Sequence, residues 1–310
     1  MMSNDRNQQI EEISKAKLMW QLTRPHTLTA TFSPVILGTV LAMFDVEINW
    51  LLFTAMLVCC LCLQIATNLF NEYYDFKRGL DTAESVGIGG ALVRHGTKPQ
   101  TILNFAILLY AIAVALGVYI CMSSSWWLVA IGVAGMAIGY LYTGGPYPIA
   151  YTPFGELFAG LSMGVAFILI SYFIQTGNIN MTSFLVSIPV GILVGGINMS
   201  NNIRDIQEDT IGGRKTLAIL LGRDKAIHVL GLSFIIAYAW MIVLIATDVV
   251  SPWLLVVFVS IPKPITAIKS FKEGEKEPIK LGLAMKSTAM TNTFYGLLSS
   301  VGLILSYFFA

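Results

Sequence analysis

Nine apolar stretches fill most of this 310-residue chain, at 27–44, 48–70, 101–122, 125–143, 154–175, 181–203, 226–246, 252–271 and 288–309. Most approach the ~20 residues that an α-helix needs to cross ~30 Å of hydrocarbon. In that medium every backbone polar group must find its partner inside the protein, which leaves helices as the spanning element for stretches of this length. Only 12% of the residues are charged and 55% are hydrophobic, against about 25% charged in an ordinary soluble domain. The chain therefore reads as an all-α polytopic membrane protein. Its loops are short, so helices adjacent in sequence must be adjacent in space. The expectation is nine transmembrane helices in one bundle, forming a single domain over 26–310 around a central cavity open to the cytoplasmic side.

The charges sort the two membrane faces. With loops numbered alternately from the N-terminus, all 19 Lys and Arg fall on the N-terminal side, in Arg6 to Arg24, Lys77 to Lys98, Arg204 to Lys225 and Lys263 to Lys286. The opposite loops carry only Asp45, Glu47 and Asp248. Positive charge is retained inside, which predicts a cytoplasmic N-terminus and an outer C-terminus in the cell (inner or plasma) membrane. A miscounted helix would scatter the positive charges over both faces. Residues 1–25 form a cytoplasmic segment without the apolar core of a signal peptide. Ile10, Ile13 and Trp20 are spaced for a short helix lying on the membrane surface, and a disordered tail fits the same residues. Cys59, Cys60, Cys62 and Cys121 sit inside apolar stretches with no metal or CxxC spacing, and read as packing residues.

Two polar stripes interrupt this apolar pattern. Gln64, Asn68, Asn71 and Asp75 stand at offsets 0, 4, 7 and 11, and so do Asn198, Asn202, Asp205 and Asp209. At ~100° per residue those offsets fall within a sector of about 60°. Each set is thus expected on one helix face, ending in carboxylates at the same membrane edge. Facing lipid, such a stripe is costly, so both should point into the bundle. Acids mixed with bases suit a divalent cation that itself holds a phosphate. Lys77, Arg78 and Arg94 follow the first set, and Arg204, Arg214 and Lys215 flank or follow the second. Each of these cations also has a plain reading as a topology charge. A divalent-cation transporter is the distant alternative, but it should carry acids at the bilayer midplane or on both sides, and here they cluster at one edge.

These residues resemble the UbiA superfamily of intramembrane prenyltransferases, and within it the branch that acts on 1,4-dihydroxy-2-naphthoate. The resemblance is carried by Asn71-x3-Asp75-x5-Asp81, Gly87 to Arg94, and Arg204-Asp205-x3-Asp209-x5-Lys215-Thr216-Leu217. Arg24-Pro25-His26-Thr27-Leu28, Ser33 to Gly38, Tyr142-Thr143-Gly144-Gly145-Pro146, Gly155-Glu156-Leu157 and Gln175-Thr176-Gly177 add to it. The match runs collinearly from about residue 20 to 225. One departure is Glu72, where relatives often have Asp; its longer side chain reaches further.

The resemblance implies Mg²⁺-dependent transfer from polyprenyl diphosphate, with CO₂ lost from the acceptor's carboxylate to give the demethylmenaquinol of menaquinone synthesis. Asp75, Asp81, Asp205 and Asp209, with Glu72, would hold the metal. Arg204 and Lys215, with Arg78 and Arg94, would stabilise charge on the departing diphosphate. Asn68, Asn71 and Asn201 would orient phosphate oxygens or waters. Tyr73, Tyr74, Tyr140 and Tyr142 are candidates to face an allylic cation, and interface-belt aromatics are as good a reading for each. Arg24 is the first choice to hold the acceptor's carboxylate. His26 and His95 are either proton carriers or ordinary loop histidines. The implied partners are polyprenyl diphosphate, an aromatic acid and the lipid bilayer, with no nucleic acid. A sister activity on 4-hydroxybenzoate, homogentisate or a lipid glycerol phosphate stays open at this level.

Overall fold

The computed structural model describes residues 15–80, 92–93, 96–274, 276–277 and 279–309, and its regular structure is helical throughout. In chain order the helices are α1 (Lys15–Leu22), α2 (Thr29–Ala42), α3 (Trp50–Lys77), α4 (Pro99–Ser123), α5 (Leu128–Leu141) and α6 (Gly155–Thr176). There follow α7 (Met181–Arg204), α8 (Ile206–Ile211), α9 (Leu217–Leu221), α10 (Arg223–Ala246), α11 (Pro252–Glu273) and α12 (Ile279–Phe309). Seven of them, namely α3, α4, α6, α7, α10, α11 and α12, are long and apolar enough to cross a membrane. The apolar α2 and α5 have 14 residues each, a rise of about 21 Å.

Local chemistry sets the helix ends. Asn49 starts α3 by accepting from the backbone N–H groups of Leu51 and Leu52, and Asn180 starts α7 by accepting from that of Ser183. Gly177, at φ 77°, stops α6 in the left-handed conformation that glycine enters without strain. Helix α3 runs beyond its apolar stretch to Lys77 and carries the whole first stripe. The second stripe is different, and here the expected single helix is corrected. Helix α7 stops at Arg204, Asp205 sits at φ −95°, ψ 9°, and Asp209 belongs to the separate α8. Asp is a poor interior helix residue because its side chain engages local partners, and the Asp205 carboxylate is gripped by Arg204 beside it. The last helix starts nine residues before its apolar stretch, because the aliphatic stems of Lys280 and Lys286 are compatible with a helix that hydropathy alone hides.

Packing follows the chain. Neighbours pair from α2 to α5 and again from α6 through α7, α10 and α11 to α12, which returns onto α2; α2 also lies along α6. Helix α5 packs chiefly on α3 and α4, and Leu128 at its start shares a buried cluster with Phe173 and Ile174 of α6. The main core joins α2, α6, α7, α10, α11 and α12, with Tyr172, Leu193, Met241, Phe271 and Tyr295 fully buried. Where α6 crosses α7 it winds as a π-helix over Gly160–Ala166. A Cβ on Gly164 would lie 2.4 Å from the Cα of Gly191, so only glycine permits this backbone approach. The four cysteines are free and sit inside the bundle. Leu18 and Leu22 of α1 are buried in a cluster with Ala66 and Leu69 of α3, while Trp20 is exposed.

Candidate active site

A cavity of about 570 Å³ lies between α3, α4, α5, α6 and α7. Its body is aliphatic, and its polar groups come from the two stripes and their neighbours. Gln64, Asn68 and Asn71 of α3 face Asn198 and Asn201 of α7 across it. Arg24, Tyr142, Thr27, Thr67 and Ser162 add to the polar lining. Five of the expected substrate-binding residues are therefore gathered around one space.

Hydrogen bonds fix this end. The Asn68 amide donates to the carbonyl of Thr23 (3.0 Å) and to Thr27 Oγ1 (3.3 Å), tying the turn that carries Arg24 to α3. Arg24 itself is at φ 50°, a conformation that costs a non-glycine residue about 1–3 kcal/mol. Thr143 Oγ1 donates to Asn71 Oδ1 at 2.6 Å, and Tyr142 donates its hydroxyl to Asn198 Oδ1 at 2.7 Å. Asn202, expected in the same stripe, turns instead to α6 and donates to Glu156 Oε1 at 2.8 Å. The other carboxylate oxygen of Glu156 and the amide nitrogen of Asn198 are buried without partners among the described residues.

The two aspartate motifs meet at the mouth through Arg214. Its guanidinium donates to Asp75 Oδ1 at 2.7 Å and to Asp209 Oδ1 at 2.9 Å, joining the end of α3 to α8. The chain brings Arg214 back by a tight turn: Gly213 is at φ 74°, and the Arg214 backbone N–H bonds the Asp209 carbonyl at 2.9 Å. Burial pushes the Asp209 carboxyl up to about 6; Arg214 opposes this, while Asp205 and Asp75 add to it. For Arg214, burial works against the charge, but Asp75 and Asp209 outweigh it and hold the guanidinium above its ordinary value.

The other expected residues are placed as follows. Arg204 pairs with its neighbour Asp205 and reaches Met285 Sδ at 3.1 Å. Arg78 donates to the carbonyls of Thr143 and, at 3.0 Å, Gly145, and lies over the rings of Tyr74 and Tyr151. Arg214 lies over the same Tyr151 ring, 5.3 Å from its centre. The hydroxyls of Tyr74 and Tyr140 are 2.8 Å apart, and Tyr73 stands edge-on to Tyr74. The Lys215 side chain is exposed, and its backbone N–H bonds the Tyr151 carbonyl. Glu72 is 1% exposed and accepts from the backbone N–H of Leu92 at 3.3 Å. Asp81, Arg94, His95 and the side chain of His26 lie outside the described residues.

Among the described residues no three Asp, Glu, His or Cys side chains gather closely enough to hold a metal ion by themselves. Arg214 stands between two of the carboxylates expected to do so. The donor set still fits a hard cation. It consists of carboxylate and amide oxygens without soft ligands, and Asp209 Oδ2, buried at the junction, has no partner among the described residues. The sequence reading left Arg214, Glu156 and Tyr151 without individual roles. Arg214 was visible only as one more base near the second motif; the turn at Gly212 and Gly213 that aims it at Asp75 has no pattern of its own.

Membrane-length helices around an apolar cavity, with carboxylates and guanidiniums at one end, define an integral-membrane protein with an internal site for an amphiphile. Residues 31–281 match the model of the UbiA prenyltransferase family, and the chain belongs to that family. It is 67% identical to the 1,4-dihydroxy-2-naphthoate octaprenyltransferase of Bacillus subtilis, over 95% of this chain and 94% of that one. In fold it resembles a UbiA homologue from Aeropyrum pernix, with a TM-score of 0.66 and 16% identity over 91% of this chain and 98% of that one. A UbiA homologue from Archaeoglobus fulgidus bound to DMAPP and Mg²⁺ gives a TM-score of 0.54 and 13% identity, over 91% and 99%.

Proposed function

We propose that this protein transfers a polyprenyl group from polyprenyl diphosphate to 1,4-dihydroxy-2-naphthoate, with loss of CO₂, to give demethylmenaquinol. The observation that carries the reading is the junction of the two aspartate motifs directly beside an apolar cavity, in a chain of this family. A diphosphate head at the mouth and a prenyl tail in the cavity use both parts together. The bundle is read as nine spans, with α2 and α5 among them and the mouth on the cytoplasmic face, as the charge asymmetry of the loops requires.

Asp75, Asp205 and Asp209, with Asp81 beyond the described residues, would hold Mg²⁺, which supplies Lewis acidity to the leaving diphosphate. Arg214 and Arg204 stand where they can take diphosphate charge as the C–O bond breaks. Arg78 holds the loop after α5 in place through the Thr143 and Gly145 carbonyls. Asn68 and Asn71 are committed to the same task of fixing the cavity rim. Tyr142 and Asn198 present a hydroxyl and an amide to the cavity beside Arg24. Arg24 there is read as the anchor for the acceptor's carboxylate, which draws on its cavity position and its strained backbone. The tail would leave sideways between α5 and α6, where the ring of packed helices is weakest.

The test is purified protein in a bilayer with Mg²⁺, a polyprenyl diphosphate and acceptors labelled in the carboxylate. Release of labelled CO₂ with 1,4-dihydroxy-2-naphthoate, and little transfer to 4-hydroxybenzoate or homogentisate, is expected. Preferred transfer to another acceptor with its carboxylate retained would overturn the assignment.

A further inference from the structure

The ion pair at the mouth has a feature that a static structural bridge does not explain. Arg214 satisfies one oxygen of Asp75 and one of Asp209, yet leaves Asp209 Oδ2 and its own Nε buried without partners among the described residues. Asp209 is only 6% exposed. Leaving a buried charged group partly unsatisfied is unfavourable, so the arrangement is a compromise that a better-matched partner would displace.

The charge balance points the same way. Among the described residues the ion pairs here set Asp75, Asp205 and Asp209 against Arg204 and Arg214, while Arg78, over the same Tyr151 ring as Arg214, is committed to the Thr143 and Gly145 carbonyls. A diphosphate arriving here meets Asp75, Asp205 and Asp209 while the forks of Arg204 and Arg214 are occupied by them. It binds well only if those forks turn to its own oxygens, for which Arg has the matching geometry. The aspartates then need another cation. The backbone allows the exchange: Arg214 follows Gly213 in a turn after the short α8, and its guanidinium lies over the Tyr151 ring, which gives it a face to slide on rather than a fixed direction.

From this we infer that Arg214 is a displaceable cation, filling in the free enzyme the place between Asp75 and Asp209 that the divalent metal takes on loading, and then turning to the diphosphate. This rests on the reading of the mouth as a metal–diphosphate site. Arg214 thereby keeps two mutually repelling carboxylates together before substrate arrives, and it makes metal binding depend on diphosphate, which gives the displaced guanidinium its new partner.

The measurement is Mn²⁺ affinity by electron paramagnetic resonance, on the full-length protein, with and without inorganic pyrophosphate. Wild type should bind Mn²⁺ weakly alone and at least about tenfold more tightly with pyrophosphate. Arg214→Gln has no cation to evict. It should bind Mn²⁺ at least about tenfold more tightly than wild type without pyrophosphate, gain little from adding it, and lose turnover. Arg214→Lys, which keeps the charge but cannot fork to both aspartates, is a second variant should Arg214→Gln not fold, and its Mn²⁺ affinity should lie between the two. If Arg214 is a permanent structural bridge, removing it opens the mouth, and Mn²⁺ affinity in either variant is equal to or weaker than in wild type; that result overturns the inference. Absence of Mn²⁺ binding to wild type even with pyrophosphate would overturn the metal–diphosphate reading along with it.

Discussion

The two acidic motifs share their spacing but not their construction. The first lies on one unbroken helix: α3 carries Gln64, Asn68, Asn71 and Asp75 without interruption as far as Lys77. The second is divided. Asn198 and Asn202 are on α7, Asp205 is at the break, and Asp209 is on the six-residue α8, followed by the Gly212–Gly213 turn. A rigid arm thus faces a jointed one, with Arg214 of the jointed arm reaching across. A site that must accept metal and diphosphate and then release both gains from having one fixed wall and one that adjusts, since a hinge absorbs backbone change at few positions.

Lengthening each arm by one methylene distinguishes them. On the rigid arm the extra length has nowhere to go, so Asp75→Glu should cut kcat about a hundredfold, close to 2.7 kcal/mol of transition-state stabilisation. On the jointed arm α8 can shift, and Asp209→Glu should cost less than about tenfold. Equal losses in the two variants, measured as steady-state turnover with membrane insertion verified, would remove the distinction.

A smaller effect tests the joint itself. Gly213 is at φ 74° and a Cβ there would meet nothing within 4 Å, so substitution is penalised by backbone conformation and not by crowding. Gly213→Ala should lower stability by about 1 kcal/mol and turnover a few-fold by misdirecting Arg214. Gly213→Asn should recover most of both, because Asn enters the left-handed region readily. An alanine variant identical to wild type in melting and turnover would mean that the turn does not aim Arg214.

Much of this architecture was legible in the residues, and what was not has definite physical causes. The apolar stretches located the helices, because crossing a bilayer imposes a length, and seven of the helices meet it. The first stripe was readable because α3 obeys one period from Gln64 to Lys77. The second failed at Asp205, where a helix end is decided by local side-chain bonding and not by hydrophobic period. Asn202 was assigned to the cavity on spacing alone; its partner Glu156 lies 46 residues away in sequence, brought alongside by the glycine contact of α6 with α7. Arg214 could not be singled out because a base near a membrane edge is expected on topology grounds, and its contact with Asp75 spans 139 residues. Glu72, expected as a further ligand from its place in the motif, is buried and accepts from the backbone N–H of Leu92, a contact that its sequence proximity to Asp75 conceals.

The central claim is that the rigid and jointed arms form one site, and a double-mutant cycle addresses it most directly. Asp75→Asn, Asp209→Asn and the double variant would be compared by kcat/KM for polyprenyl diphosphate at saturating 1,4-dihydroxy-2-naphthoate and Mg²⁺. Residues acting as a unit are strongly non-additive. Each single variant should therefore lose more than about a hundredfold, and the double variant should fall no more than about tenfold below the worse single one. Losses that simply multiply would mean that Asp75 and Asp209 act independently, and would contradict a shared site.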